Sequence, residues 1–152
     1  MSTTKIAING FGRIGRNAFK IAFERSDVEI VAINDLTDNK TLAYLLKHDS
    51  NYGTYGHEVS ADEDGIVVDG KKVKVLAEKD PTMLPWGQMG IDVVIESTGF
   101  FTDKEGASRH IQAGAKRVVI SGPTKSEGVD TIVLGANDDK VAGATDVVSN
   151  AS

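Results

Sequence analysis

KIAINGFGRIGR, residues 5–16, sets a short apolar strand against a glycine-rich turn and the start of a helix. Lys5–Asn9 reads as a strand rich in Ile and Ala. Arg13–Arg25 reads as a helix, with Ile14, Ala18, Ile21 and Ala22 at spacings of three and four. Between them, Gly10-Phe11-Gly12-Arg13-Ile14-Gly15 has the pattern Gly-x-Gly-x-x-Gly at a strand-to-helix turn. Each glycine has a physical task there. Gly10 allows the tight turn, Gly12 keeps a Cβ off the approach to a phosphate, and Gly15 lets the helix pack close on the strand. The first N–H groups of the helix are unpaired and lie at the positive end of its dipole, which suits an anion. Arg13 adds a cation at the same place.

Working outward, Glu29–Asn34 (EIVAIN) is a second buried strand, and Asp35 follows it 20 positions after Gly15. An acidic residue at that distance accepts hydrogen bonds from ribose hydroxyls and repels an added phosphate. Taken singly, a glycine-rich turn occurs without a ligand, and an Asp after a strand often caps a helix. Loop, spacing and strand position together point to a dinucleotide, with NAD favoured over NADP. Asn39–Lys47 is the next helix, with Leu42, Leu45 and Leu46 inward.

Then the rhythm changes. His57–Leu76 holds alternating stretches around an Asp69-Gly70 turn, a strong hairpin signal that predicts an antiparallel excursion at about 57–76. Pro81 and Pro85 mark a loop with a short helical turn near Met83–Trp86. Asp92–Glu96 (DVVIE) resumes the core as a near-continuous apolar strand suited to burial on both faces. Lys104–Ala113 is a helix ending at Gly114, and Arg117–Ser121 (RVVIS) is another core strand. Thr131–Leu134 and Val147–Ser149 are strand candidates. The alternation predicts one α/β domain over 1–152, a Rossmann-type doubly wound, mostly parallel sheet. Ser97-Thr98-Gly99-Phe100-Phe101 and Ser121-Gly122-Pro123 end two of its strands. Each alone is an ordinary strand-to-loop turn, but both fall where a ligand crosses the reversal in winding.

Composition narrows the classes. Hydrophobic residues are 40% of the chain and charged residues 26%, an ordinary balance for a globular protein. No apolar run approaches the ~20 residues of a membrane span, and the start lacks a signal peptide's apolar region, so the cytoplasm is the expected location. Seventeen basic residues stand against 22 acidic ones with no Lys/Arg block, so neither nucleic acid nor a membrane surface is an expected partner. The absence of cysteine excludes disulfides, zinc–thiolate sites and thiol catalysis from these residues. His48, His57 and His110 have no metal-ligand spacing and read as structural or exposed, and no metal is expected. Asp62-Glu63-Asp64 reads as a solvated hairpin face and Asp138-Asp139 as a solvated turn.

Longer motifs carry a family resemblance. KIAINGFGRIGR at 5–16, VAINDLTD at 31–38, LLKHDS at 45–50, ESTGFFTDKEGASRHIQAGAKRVVISGP at 96–123 and SNAS at 149–152 resemble glyceraldehyde-3-phosphate dehydrogenase, in order and with that family's spacing. The resemblance implies that Gly10, Gly15 and Phe11-Gly12-Arg13-Ile14 form the pyrophosphate loop and that Asp35 holds the adenosine ribose. It implies Leu36 beside the adenine and Lys79 near the adenosine side. Thr98, Gly99 and Phe100 would line the path to the nicotinamide, and Ser121 would touch the cofactor there. Asp35 followed by Leu36-Thr37 resembles the NAD-using members.

In that family SNAS is followed at once by the nucleophilic cysteine. This sequence stops at Ser152, a substrate-contacting position, which is expected to make the chain the cofactor-binding part of a longer enzyme. The parent reaction oxidises D-glyceraldehyde 3-phosphate with NAD and phosphate to 1,3-bisphosphoglycerate, through a thiolate and a base. The resemblance implies NAD and the enzyme's own catalytic domain as partners, a homotetrameric parent, and no catalysis by this chain alone. Erythrose-4-phosphate dehydrogenase shares INGFGRIGR, but its members usually carry Glu where this chain has Asp35. A stand-alone nucleotide-binding module with no catalytic role is the alternative from a different class.

Overall fold

β1 (Thr4–Asn9) runs into α1 (Arg13–Phe23) through a three-residue turn, in a computed structural model that describes residues 3–133 and 136–150. β2 (Val28–Asn34) returns parallel to β1, and α2 (Asn39–Lys47) follows with the Asp38 side chain capping the Thr41 N–H. β3 (His48–Asp49) and β4 (Gly53–Thr54) make a small separate hairpin. β5 (Val59–Ala61), β6 (Gly65–Val68) and β7 (Lys71–Leu76) form an antiparallel meander. A 3₁₀ turn at Pro81–Met83 and the one-turn α3 (Trp86–Met89) lead to β8 (Val93–Glu96). α4 (Lys104–Gln112), β9 (Arg117–Ile120), β10 (Asp130–Thr131), a 3₁₀ stretch at Asp138–Gly143 and β11 (Val147–Ser149) complete the order.

The described strands of the main sheet lie in the order β10-β11-β9-β8-β1-β2-β7-β6-β5. From β7 to β11 every pair is parallel, and the winding reverses between β1 and β8. That is the doubly wound order in which ligands bind beyond the strand ends at the reversal. Alternation decides which face each residue serves. Ile6, Ile8 and Ile33 pack with Phe19, Leu42 and Leu46 of α1 and α2, while Ala7, Ala32 and Val94 pack on the other face with Leu84, Trp86 and Ile91. Both faces are therefore covered, and each fully buried Ile, Leu, Val or Phe side chain contributes about 1.5–3 kcal/mol.

Several expectations need correction. β5–β6 and β6–β7 are antiparallel, but β7 lies parallel to β2, so the last strand of the excursion belongs to the parallel core. α1 buries Gly15, Phe19 and Ala22, whereas Ile14 is 55% and Ile21 68% exposed. The helix is rotated from the apolar spacing because Gly15 has to face the Gly10 carbonyl just past β1, which turns Ile14 outward. In α2 it is Ala43, with Leu42 and Leu46, that is fully buried, and Leu45 is half-buried. The helical turn near Met83–Trp86 resolves into two turns flanking Leu84-Pro85. Strand pairing at Thr131–Leu134 is confined to Asp130–Thr131; Ile132 and Val133 are outside any strand, and Leu134 lies outside the described residues. The Asp69-Gly70 turn is as expected, with both residues at positive φ between the paired Val68 and Lys71.

His57 ties α1 to this hairpin. Its ring meets Glu24 through Nε2 and Asp69 through Nδ1, with the Phe23 ring 5.2 Å away. The Asp69 bond, and then the Glu24 bond, raise its pKa above 6.5. A pKa raised by folding contributes stability on the acid side, and that contribution is lost as pH rises through the raised value. The contact is near the surface, so the loss is small: about 2 °C in Tm as pH rises from about 6.5 through the raised value. His57→Gln should flatten this part of the Tm-against-pH curve, and an unchanged profile would rule the contact out.

Candidate functional site

A cleft of about 470 Å³ opens over the carboxyl ends of β1, β2 and β8. It is lined by Gly10, Gly12, Asp35, Leu36, Lys79, Thr98 and Phe100, all singled out by the sequence. Asn9, Asn34, Glu78, Ser97 and Phe101 line it as well.

The glycines of the turn differ in their surroundings. Gly10 has φ +90°, and a Cβ there would stand 2.8 Å from the Thr98 backbone nitrogen. A Cβ at Gly15 would stand 2.2 Å from the Gly10 carbonyl oxygen, inside any permitted contact. At Gly12 a Cβ would meet nothing within 4 Å. Gly12 is also the N-cap of α1, and no side chain caps the helix there. α1 thus begins in the cleft lining, at Gly12, and no side chain caps its first turn. Arg13 is exposed at the first helical position.

Phe11 divides its duties. Its ring is 1% exposed and meets Phe19 edge-on at 5.7 Å, while its backbone N–H donates to Asp35 Oδ2 at 2.7 Å. Asp35 Oδ1 also accepts the Thr37 N–H at 2.9 Å. A carboxylate has about four acceptor positions, so Asp35 keeps capacity toward the cleft while anchoring the glycine turn. Leu36 is 58% and Phe100 84% exposed, so both present apolar surface at the cleft. Phe11, Arg13, Ile14, Gly15, Gly99 and Ser121 are not among the lining residues. Gly99 is exposed at φ +82°, and the half-buried Ser121 donates its N–H to the Glu96 carbonyl at 3.0 Å. Ser152 lies outside the described residues. Among the described residues no group of three His, Cys, Asp or Glu side chains could hold a metal ion.

The floor of the cleft was missed by the motifs. Asn9, Asn34 and Glu96 end β1, β2 and β8 at one level, Asn9 paired in register with both neighbours. All three are buried. Asn34 Nδ2 donates to Asn9 Oδ1 at 2.8 Å and to the Glu78 carbonyl at 2.9 Å, and the Glu78 N–H returns to Asn34 Oδ1 at 2.9 Å. The signal lay in the endings of KIAIN, EIVAIN and DVVIE, three apolar runs each closed by a polar residue.

Comparison with known proteins agrees with this geometry. Residues 4–104 match the family described as glyceraldehyde 3-phosphate dehydrogenase, NAD binding domain. The chain is 56% identical over 150 residues to glyceraldehyde-3-phosphate dehydrogenase 1 of Bacillus cereus, covering 98% of this chain and 45% of the relative. It is 58% identical over 153 residues to the glyceraldehyde-3-phosphate dehydrogenase of Borreliella burgdorferi, covering 97% and 45%. With that of Streptomyces coelicolor the identity is 55% over 152 residues, covering 99% and 45%. The chain spans about half the length of the curated relatives it matches. It belongs to the glyceraldehyde-3-phosphate dehydrogenase family, in the region that forms that family's NAD-binding domain.

Proposed function

We propose that the chain holds NAD across the carboxyl ends of β1, β2 and β8, as the cofactor-binding part of a phosphorylating glyceraldehyde-3-phosphate dehydrogenase. The observation that carries this reading is the ground at Gly12, where a Cβ would meet nothing within 4 Å and the uncapped first turn of α1 opens beside it. A dinucleotide fits the cleft and its edge: Gly12 at the N-cap of α1, with the exposed Arg13 next to it, for the pyrophosphate, and spare lone pairs of the Asp35 carboxylate for a ribose.

On this reading Gly10, Gly12, Arg13 and Ile14 hold the pyrophosphate, Gly15 sets the helix that does so, and Phe11 serves through the shape its Asp35 bond gives the loop. Asp35 takes the adenosine ribose, with Leu36 and Lys79 beside the adenine. Thr98, Gly99 and Phe100 flank the nicotinamide path, Ser121 meets the cofactor at its far end, and Ser152 meets the substrate. Bound NAD supplies the hydride acceptor for aldehyde oxidation. The chain's own part is to bind and orient it and, through Asp35, to repel the extra phosphate of NADP. These 152 residues contain no cysteine, so they provide no thiolate for the acyl-transfer step. The whole protein is proposed to be a homotetramer acting in the cytoplasm, on the support of family membership.

Calorimetric titration should show saturable NAD binding at least about tenfold tighter than NADP binding, the size of one unfavourable charge contact. Asp35→Asn should narrow that ratio; equal affinities in the unaltered chain would refute the assignment of Asp35. With glyceraldehyde 3-phosphate, NAD and phosphate, these residues alone should form no NADH above the blank. The two inner glycines should separate. Gly12→Ala should keep stability within about 1 kcal/mol while losing NAD, because only open cleft lies at its Cβ. Gly15→Ala should cost about 1–3 kcal/mol in denaturant unfolding, because its Cβ strikes the Gly10 carbonyl. Equal unfolding costs for the two would remove the distinction.

A further inference from the structure

Glu96 ends β8 directly beneath the cleft and is 1% exposed. Donors converge on both of its oxygens. Asn9 Nδ2 lies 2.6 Å and His110 Nε2 2.8 Å from Oε1, while the Thr98 backbone N–H and hydroxyl lie 2.9 and 2.7 Å from Oε2. The contacts are those of an acceptor throughout, which a carboxylate is and a carboxylic acid is not.

The histidine tautomer follows from the next residue. Trp86 Nε1 can only donate, and it lies 3.0 Å from His110 Nδ1. Nδ1 is therefore the acceptor, and the single ring proton sits on Nε2, aimed at Glu96. From the other side Asn34 donates to Asn9 Oδ1, which turns the Asn9 amide hydrogens toward Glu96. No member can flip without setting two hydrogens face to face or two oxygens together.

The free end of this relay is the turn after β8. Glu96 holds both polar groups of Thr98, and Thr98 Oγ1 accepts the Phe100 N–H at 3.1 Å. Stability alone does not call for such an arrangement, since a buried charged network is commonly replaced by well-packed apolar residues at no loss. An acceptor that grips two groups of one turn supplies geometry instead. We propose that Glu96, oriented by neutral His110, is the positioning residue that sets the Thr98–Phe100 wall for the nicotinamide half of the dinucleotide, an assignment that rests on the NAD reading above.

Glu96→Gln in the full chain tests it, because the amide turns its NH₂ toward donors whichever way it is placed. Thr98→Val removes only the hydroxyl link and leaves the Thr98 N–H on Glu96, so it serves through faster exchange at Phe100 alone if Glu96→Gln fails to fold. Two readouts are needed: amide hydrogen exchange at Thr98 and Phe100, and calorimetric affinities for AMP and for NAD. Exchange at both amides should quicken, NAD affinity should fall about tenfold, and AMP affinity should stay within about twofold. Unchanged exchange in a folded variant overturns the proposal. So does faster exchange with AMP and NAD weakened alike, which would make the relay structural only. An unaltered chain that binds neither AMP nor NAD overturns the NAD reading and this assignment with it, and is recognised before any variant is made.

Discussion

The approach of α1 to β1 at Gly15 governs everything above it. With only 2.2 Å between the place of a Cβ and the Gly10 carbonyl, no other residue lets the helix start so close to the strand that feeds it. That approach turns Phe19 and Ala22 inward and Ile14 outward, and leaves Gly12, the N-cap of α1, in the lining of the cleft. Moving the helix away would loosen the core on one face and shift the loop on the other. Stability and ligand geometry are joined at one backbone contact.

Asp35 makes the same join from the neighbouring strand. Its carboxylate was legible as a ribose acceptor by distance from the glycine turn, but its bond to the Phe11 N–H was not. The loop is therefore held in shape by the same side chain proposed to read the ligand. A loop already ordered by its own protein adds little ordering cost to binding.

Most of the architecture was legible because period and punctuation agreed. The apolar runs at β1, β2, β8 and β9, and the Asp69-Gly70 turn, fell where expected. The errors had one source, since local pattern does not know what lies across the sheet. Ile14 and Ile21 fit an apolar helix stripe, yet Gly15 fixed which face turned inward. β7 looked like part of a hairpin and is one, yet its other edge completes the parallel sheet against β2. In the site, Gly10, Gly12 and Asp35, singled out by spacing, line the cleft, whereas Asn9, Asn34 and Glu96 were read only as ends of strands. A polar residue closing an apolar run marks the mouth of a parallel sheet once the register is known, and a single sequence does not show register.

β7 also bears on the order of assembly. Its pairing with β6 closes a two-residue turn, while its pairing with β2 joins Ala32 to Lys74 across a long stretch of chain. Short loops close at little entropic cost and long ones at more, so the β5–β6–β7 meander can form as a local unit before the sheet is complete. Docking that unit beside β2 brings the Leu76 carbonyl to the Asp35 N–H and Glu78 to Asn34 in the same step. The adenosine side of the cleft is therefore finished by the most non-local event in this half of the sheet, and a chain with that edge undocked keeps its glycine turn but lacks one wall of its site.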